Sequence, residues 1–511
     1  MVDGTHYLKG MAVYSDNMPD GIDVIFNTNK KSGTPTKDVL KKIKDDPDNP
    51  FGSLIKEHGG QSYYDDPKGK YTDPVTGKKQ SLSLINKRAE EGDWGEWSKT
   101  LPSQFLSKQS LTLIKKQLGL AKADKQAEYD EICSLTNPTV KKALLKSFAD
   151  DCDAAAVHLQ AAALPRQKYQ VILPLTTIKD NEVYAPNYKD GETVARYPHG
   201  VTFEIPILKV NNKLAEGKSV LGNTPADAIG INKKNADRLS GADFDGDTVM
   251  VIPCNSTKSK VKITSTSPLK GLEGFDTKDA YGGTVKKDAD GIDHADGVDH
   301  YYRNGKEYKI MRNTQTEMGK VSNLITDMTL KGATPDELAR AVRHSMVVID
   351  AEKHKLDYKQ SEIDNGIASL KKKYQGRVDP EGNYHEGAST LISQAKSETQ
   401  VLKRKGSPTI NEDGSLSYKS VKEEYVDKNG KLQFRMQKST KMAETKDART
   451  LSSGTPQEEA YADYANSMKS LANQARREMM STGKIAYSAS AKATYSEEVK
   501  SLNAKLDLAL K

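Results

Sequence analysis

Cysteine is scarce, with only Cys133, Cys152 and Cys254 in 511 residues. Three thiols so widely scattered make neither a disulfide framework nor a closed zinc site, so a reducing compartment, the cytoplasm, is expected. Long apolar runs are missing too. No stretch of 18 apolar residues occurs, and Met1-Val2-Asp3-Gly4-Thr5-His6 lacks the apolar centre of a secretion signal, so no membrane association is expected. Hydrophobic residues are 36% of the chain, below the ~45–50% of an average globular protein. The chain is therefore very polar, with much exposed surface. A strong charge of one sign is also absent: 77 Lys plus Arg against 70 Asp plus Glu leaves +7. That surplus permits nucleic-acid binding without indicating it. What the chain has is length, enough for roughly three domains at ~150 residues each.

Pattern along the chain alternates between strand and helix. Met11-Ala12-Val13-Tyr14 and Ile22-Asp23-Val24-Ile25-Phe26 flank a turn and read as two short strands, while 44–80, with the run Asp45-Asp46-Pro47-Asp48-Asn49-Pro50 and many Gly and Tyr, reads as loop. A helical stretch is expected over 81–163, where Phe105, Leu106, Leu111, Leu113, Ile114 and Leu118 recur at helical spacing up to Gly119, a C-cap candidate. From 168 to 253 β-branched runs return, at 170–173, 201–210 and 248–252, bounded by Gly, Pro and Asn. The Asp/Gly/His segment 286–305 reads as a surface loop; Ile292 stands where a calcium loop starting at Asp288 needs an oxygen ligand. Helices resume over 312–373, with Asp336 and Glu337 at the start of one that turns Leu338, Ala341, Val342, Met346 and Ile349 inward. Asn411-Glu412-Asp413-Gly414 and Asp427-Lys428-Asn429-Gly430 are two hairpin signals. In the last helix Tyr461, Tyr464, Met468, Leu471, Ala475 and Met479 share one face, a core stripe.

One motif carries chemistry. Gly241-Ala242-Asp243-Phe244-Asp245-Gly246-Asp247 places three carboxylates within five residues, just before the apolar run Thr248 to Ile252. Three such charges raise one another's pKa and destabilise the loop unless a cation sits among them. Gly246 frees the backbone to turn. Hard oxygen ligands suit Mg2+, which keeps positions open for water and phosphate oxygens. A solvated Asp/Gly turn is the plain alternative. A calcium EF-hand starting at Asp243 would need an acid where Cys254 stands, and a nucleophilic D-x-D-G site would need an apolar strand before the motif, where Asn235 to Ser240 is polar.

The string Ala242 to Asp247 resembles the metal-binding motif of the large catalytic subunit of multisubunit RNA polymerases, which lies in a double-psi β-barrel. Arg196-Tyr197-Pro198-His199-Gly200 is similar to the Arg-x-Pro element of that barrel. Glu317 to Asn323 and Val348 to Lys353 are similar to helices that follow the barrel in cellular RNA-silencing RNA polymerases. Lys9 to Val13 and Phe105 to Gln109 resemble segments of the first barrel and its connecting helix in single-chain enzymes, phage ones included. The resemblance covers roughly 1–370, and residues 375–511 match no known pattern.

That resemblance implies an α+β fold with a double-psi β-barrel catalytic core, two barrels in all, a helical connector and a helical C-terminal region. The expected domains are a first barrel over 1–80, the connector over 81–165, the catalytic barrel over 166–260, a surface insertion over 261–311, channel-lining helices over 312–375, hairpins over 376–445 and terminal helices over 446–511. The implied function is template-directed RNA synthesis from NTPs, DNA-dependent and phage encoded. An RNA template and a non-catalytic nucleic-acid-binding scaffold are the alternatives. Asp243, Asp245 and Asp247 would hold Mg2+, Arg196 would meet the ribose, and Lys9, Lys30 and Lys31 would meet the phosphates. Asp350 and Lys353 are expected to form an i,i+3 helix pair. The implied partners are template, RNA product and NTPs, with a second polypeptide left open because the chain is short for the family.

Overall fold

The computed structural model describes residues 5–7, 19–22, 40–42, 61–65, 71–72, 79–86, 98–190, 192–198, 205–223, 225, 228–239, 242, 244, 247–256, 259–266, 268–272, 274–285, 300–378, 381–395, 398–399, 404–411, 416–420, 422–426, 430–436 and 439–509. The architecture is mixed α+β. Two long helices, α1 (Leu111–Ser134) and α2 (Pro138–His158), lead into six strands: β1 (Lys168–Pro174), β2 (Glu182–Val183), β3 (Thr193–Pro198), β4 (Ile207–Val210), β5 (Ala228–Ile231) and β6 (Thr248–Cys254). Short helices α3 (Ala215–Leu221) and α4 (Lys233–Asp237) flank β5. After α5 (Thr277–Tyr281) come α6 (Thr314–Leu330), α7 (Pro335–His354), α8 (Tyr358–Asp364) and α9 (Ile367–Gln375). Two hairpins follow, β7 (Arg404–Ile410) with β8 (Leu416–Ser420) and β9 (Lys422–Val426) with β10 (Leu432–Met436), and then α10 (Pro456–Ser481) and α11 (Ser496–Ala509).

The six strands form one sheet in the order β5-β1-β6-β3-β4-β2. Its two outer strands come together again at an antiparallel bridge between Tyr184 and Gly230, whose amides exchange hydrogen bonds of 2.9 and 2.8 Å. Gly230 is required there, because a Cβ would run into the Leu175 side chain. The pairing obeys a two-fold rule. Thr193 faces Lys209 as Thr248 faces Val171, and Lys209 faces Glu182 as Val171 faces Ala228. Residues of β1 thus correspond to β4 at an offset of 38, β2 to β5 at 46 and β3 to β6 at 55. Under this exchange the Arg196–Val251 pair and the Tyr184–Gly230 bridge map onto themselves.

Strand β6 is buried along almost its whole length because both its faces are covered. Val249 and Val251 pack with Ile172, Val183, Leu208, Val210 and Ile229. Met250, Ile252 and Cys254 join, on the other side, the cluster of α1, α2 and α10 in which Phe148, Tyr461 and Met468 are buried, together with Phe105 from the short helix before α1. A third apolar cluster joins α6, α7 and α9 through Leu324, Met328, Val342, Val347 and Leu370. The start of the short helix Leu391–Ala395, with Ser389 and Thr390 before it, links the helical groups through two buried carboxylates. Asp327 accepts from the Thr390 hydroxyl at 2.6 Å and from Gln375 at 2.8 Å. Glu458 accepts from the Leu391 amide at 2.7 Å, from the Ser453 amide and hydroxyl at 2.9 and 2.6 Å, and from the Thr455 hydroxyl at 2.7 Å.

Several expectations need correction. The 44–80 loop contains strands at Gln61–Asp65 and Tyr71–Thr72, both paired with a strand at Lys79–Asn86 that takes the start of the expected helix; its Ser-Leu-Ser-Leu alternation is a strand period. Gly119 is no C-cap, for α1 runs through it to Ser134, held by the burial of Ile114, Leu118 and Ile132. Part of the 286–305 loop, Tyr301–Arg303, is a strand paired with Lys306–Tyr308. Ile349 is 54% exposed, beside buried Val347 and Val348. The 312–373 helices, both hairpins and the Tyr/Met stripe of α10 form as expected, with Met479 at the stripe's half-buried end.

His344 on α7 is buried beside Ser361, with Nδ1 and Oγ 3.0 Å apart, and burial holds its pKa down to about 4. A depressed histidine pKa means the unfolded chain takes up a proton that the folded one refuses. The contribution is complete above about pH 6.5 and falls by about 1.4 kcal/mol per pH unit as pH drops toward the folded value. Protection factors of α7 amides, corrected for the slower intrinsic exchange at lower pH, are expected to fall over that window in the native protein and to lose this dependence in His344→Gln.

Candidate active site

The site is built at the mouth of β6. Ala242 and Phe244 pack against the cluster of Ile172, Val249 and Val251, and so tie the motif to the sheet interior. Asp247 is half-buried, and its carbonyl accepts a 3.1 Å hydrogen bond from the Ile172 amide of β1. Asp243, Asp245 and Gly246 lie outside the described residues, as do Lys9, Lys30 and Lys31. Among the described residues there is no group of three or more His, Cys, Asp and Glu able to hold a metal.

Arg196 lies on β3, which pairs with β6, so the two motifs occupy neighbouring strands. The register sets Arg196 opposite Val251, four residues along β6 from Asp247, or about 13 Å at ~3.3 Å per residue. Gln109, expected on the connector, is buried and clamps the chain after β6: its amide donates to the Thr264 carbonyl at 3.2 Å and accepts from the Thr264 amide at 2.8 Å. The expected Asp350–Lys353 pair does not form. Asp350 accepts instead from the Thr277 hydroxyl of α5 at 2.9 Å, which fastens α5 to α7.

Sequence reading missed a second copy of the loop. Asp190-Gly191-Glu192-Thr193-Val194 repeats Asp245-Gly246-Asp247-Thr248-Val249 at a distance of 55 residues, the same offset that relates β3 to β6. A search for internal repeats carries that signal. The backbone repeats as well: the Glu192 carbonyl accepts from Val210 as the Asp247 carbonyl accepts from Ile172, and Val210 is the β4 counterpart of Ile172.

In the first copy the chain itself neutralises the acids. The Glu192 carboxylate is buried and takes both guanidinium nitrogens of Arg166, at 2.9 and 3.4 Å. Arg166 also lies 5.5 Å from the centre of the Tyr188 ring, and Tyr188 stands where the second copy has Asp243. Asp190 accepts from the Asn212 amide at 2.8 Å and sits 3.6 Å from the Lys213 ammonium. By sequence offset alone, 38 residues, Glu204 corresponds to Arg166 and Leu175 to Lys213; Glu204 lies outside the described residues. At the matched sequence positions the second copy has neither basic residue and one more aspartate. A carboxylate-only loop of this kind suits a hard divalent cation.

No known family's sequence profile matches the chain, and no curated protein matches it. Among solved structures it is similar to an RNA-dependent RNA polymerase, QDE-1 from Thielavia terrestris, over 47% of this chain and 22% of that one, at 13% identity and a TM-score of 0.22. The likeness is weak, and the chain spans about a fifth of that enzyme's length. Among the described residues no helix is long and apolar enough to cross a membrane.

Proposed function

We propose that the chain is a nucleotidyltransferase that extends RNA from NTPs on a nucleic-acid template. The observation that carries this reading is the pair of loops. One is neutralised by Arg166 and Lys213; the other sets Asp243, Asp245 and Asp247 within five residues of sequence, a pattern that suits a hard divalent cation. We further read the six strands as a double-psi β-barrel. The two-fold pairing rule supports this, as does the Tyr184–Gly230 bridge between the outer strands.

In this reading Asp243, Asp245 and Asp247 hold Mg2+. Bound there, Mg2+ would lower the pKa of the attacking RNA 3′-hydroxyl and offset charge on the triphosphate. The motif's anchors, Ala242, Phe244 and the Asp247 carbonyl, limit the freedom of the carboxylates, and such preorganisation is what electrostatic catalysis requires. Arg196 would contact the ribose, and Lys9, Lys30 and Lys31 the phosphates. Helices α6 and α7 would border the path of template and product. The template is proposed to be DNA, and a phage the source.

The test offers the purified chain single-stranded DNA, double-stranded DNA and single-stranded RNA, each with labelled NTPs and Mg2+. Template-dependent labelled product, abolished by EDTA and restored by Mg2+, is the expected result. No product on any template would leave the non-catalytic scaffold. Product on RNA alone would move the template assignment.

A further inference from the structure

Helix α11 carries an apolar stripe that the rest of the chain leaves open. From Gly483 to Leu508 every described residue except Ser496 is exposed. On a helix of ~3.6 residues per turn, Tyr495, Val499, Leu502 and Leu506 fall within about 60° of one another. They are 60, 52, 64 and 56% exposed. The Tyr495 carbonyl accepts from the Val499 amide at 3.1 Å, so the stripe begins with the helical turn. Its spacing alternates between four and three residues, as the a and d positions of a coiled coil do. Glu498 and Lys505 border the stripe on one flank, and Ser496 and Asn503 on the other. Glu497 and Lys500 pair with each other at 2.8 Å on the far face. Glu498 and Lys505 make no ion pair among the described residues.

A helix of 14 residues is marginal alone in water, because such helices draw their stability from packing an apolar face. The stripe therefore calls for a cover. Residues 496–509 hold three acids against two lysines, so nothing here selects a polyanion, and the basic face that holds a helix on an anionic membrane is missing. The flanks are complementary to themselves instead. When α11 is laid antiparallel on a second copy, with the two-fold axis between Lys500 and Ser501, Tyr495 meets Leu506 of the second copy and Val499 meets its Leu502. Like flanks then face each other. Glu498 comes within two residues along the axis, about 3 Å, of Lys505 of the second copy, and symmetry makes this pair twice. A parallel arrangement would set Glu498 against Asn503 and Lys505 against Leu510, with no ion pair. We propose that α11 is a self-association helix through which two copies of this chain join as an antiparallel helix pair. Four apolar side chains from each copy make a small seam, of the size of transient interfaces, so the dimer is weak and reversible.

The test is sedimentation equilibrium of the full chain over a concentration series, with hydrogen exchange of α11 amides measured in parallel. The mean mass is expected to rise from one chain toward two, and α11 protection to rise with it. Leu502→Asp puts a charge into both central layers and is expected to weaken association about 100-fold or more. Glu498→Lys and Lys505→Glu each set like charges against one another on the flank, for a loss of about 3- to 10-fold. An equal mixture of these two variants is expected to form a mixed dimer at least as tight as the native one, which only the antiparallel arrangement provides. All three positions are exposed, so thermal unfolding of the rest of the chain should not change. Asp245→Ala is expected to keep the native dimer affinity, so the dimer and the catalytic reading fail in different measurements. A one-chain mass at every concentration overturns the proposal, as does association untouched by Leu502→Asp. So does a mixture as weak as its components, or α11 protection independent of concentration, which would mean that the chain covers its own helix. Protection that appears only with oligouridylate or phosphatidylserine vesicles overturns it as well.

Discussion

Asp245→Ala is expected to reduce Mg2+-dependent NTP incorporation by about 1,000-fold or more, since loss of a metal-holding carboxylate removes several kcal/mol of transition-state stabilisation. The repeat supplies an internal control. Asp190 is the counterpart of Asp245 at the 55-residue offset, and its charge is already met by the Asn212 amide and Lys213. Asp190→Ala is therefore expected to stay within a few-fold of the native rate. Initial rates of labelled product, measured across a Mg2+ titration, separate the two variants. Equal rates for Asp245→Ala and the native chain would remove Asp245 from catalysis. An equal collapse in both variants would mean that the assay reads the integrity of the sheet.

Glu458→Ala is expected to have the largest effect on stability, about 3–5 kcal/mol. Glu458 is fully buried, and its two oxygens accept from the backbone of Leu391 and Ser453 and from the Ser453 and Thr455 hydroxyls. Alanine would leave these donors buried without an acceptor, and each orphan costs about 1–3 kcal/mol. Glu458→Gln keeps one acceptor oxygen and should lose about half as much. Urea unfolding with hydrogen exchange at Leu391 and Ser453 reads the difference. Burial acts to raise the Glu458 pKa, but the Ser453, Leu391 and Thr455 hydrogen bonds outweigh it and hold the pKa below the ordinary carboxylate range. A depressed carboxylate contributes fully above its unfolded pKa and loses that contribution as pH falls through the folded one. The start of the Leu391–Ala395 helix is thus expected to loosen at acid pH in the native chain and not in Glu458→Gln.

Local chemistry made much of this fold legible. The Asn411 to Gly414 and Asp427 to Gly430 signals each lead to a hairpin, and the stripe from Tyr461 to Ala475 packs inward. Thr334 and Glu337, at the start of the helix expected near Asp336, form a reciprocal capping box. Ile349 shows the limit of such reading: periodicity marks an apolar position but does not say which neighbours will cover it. Asp350 was misread for a related reason, because its partner Thr277 lies 73 residues away. Of the candidate site, Arg196 lies on the strand paired with β6 and Asp247 immediately precedes β6, a proximity which their separation along the chain could not reveal. The loop repeat was present in the letters but carried no meaning until the strand register gave the same offset of 55.

The two-fold pairing has a consequence for how the chain comes together. Every ladder of the six-stranded sheet joins one of β1, β2 and β3 to one of β4, β5 and β6. Neither trio contains a ladder of its own. During synthesis β2 and β3 have no ladder partner until β4 emerges, and β1 none until β5 does. The closure cost of these distant contacts is met before any of them is rewarded. Pairing of the sheet therefore starts only when β4 appears and is completed only when β6 does, and a break between its halves leaves two pieces that, among the described residues, hold no ladder of their own.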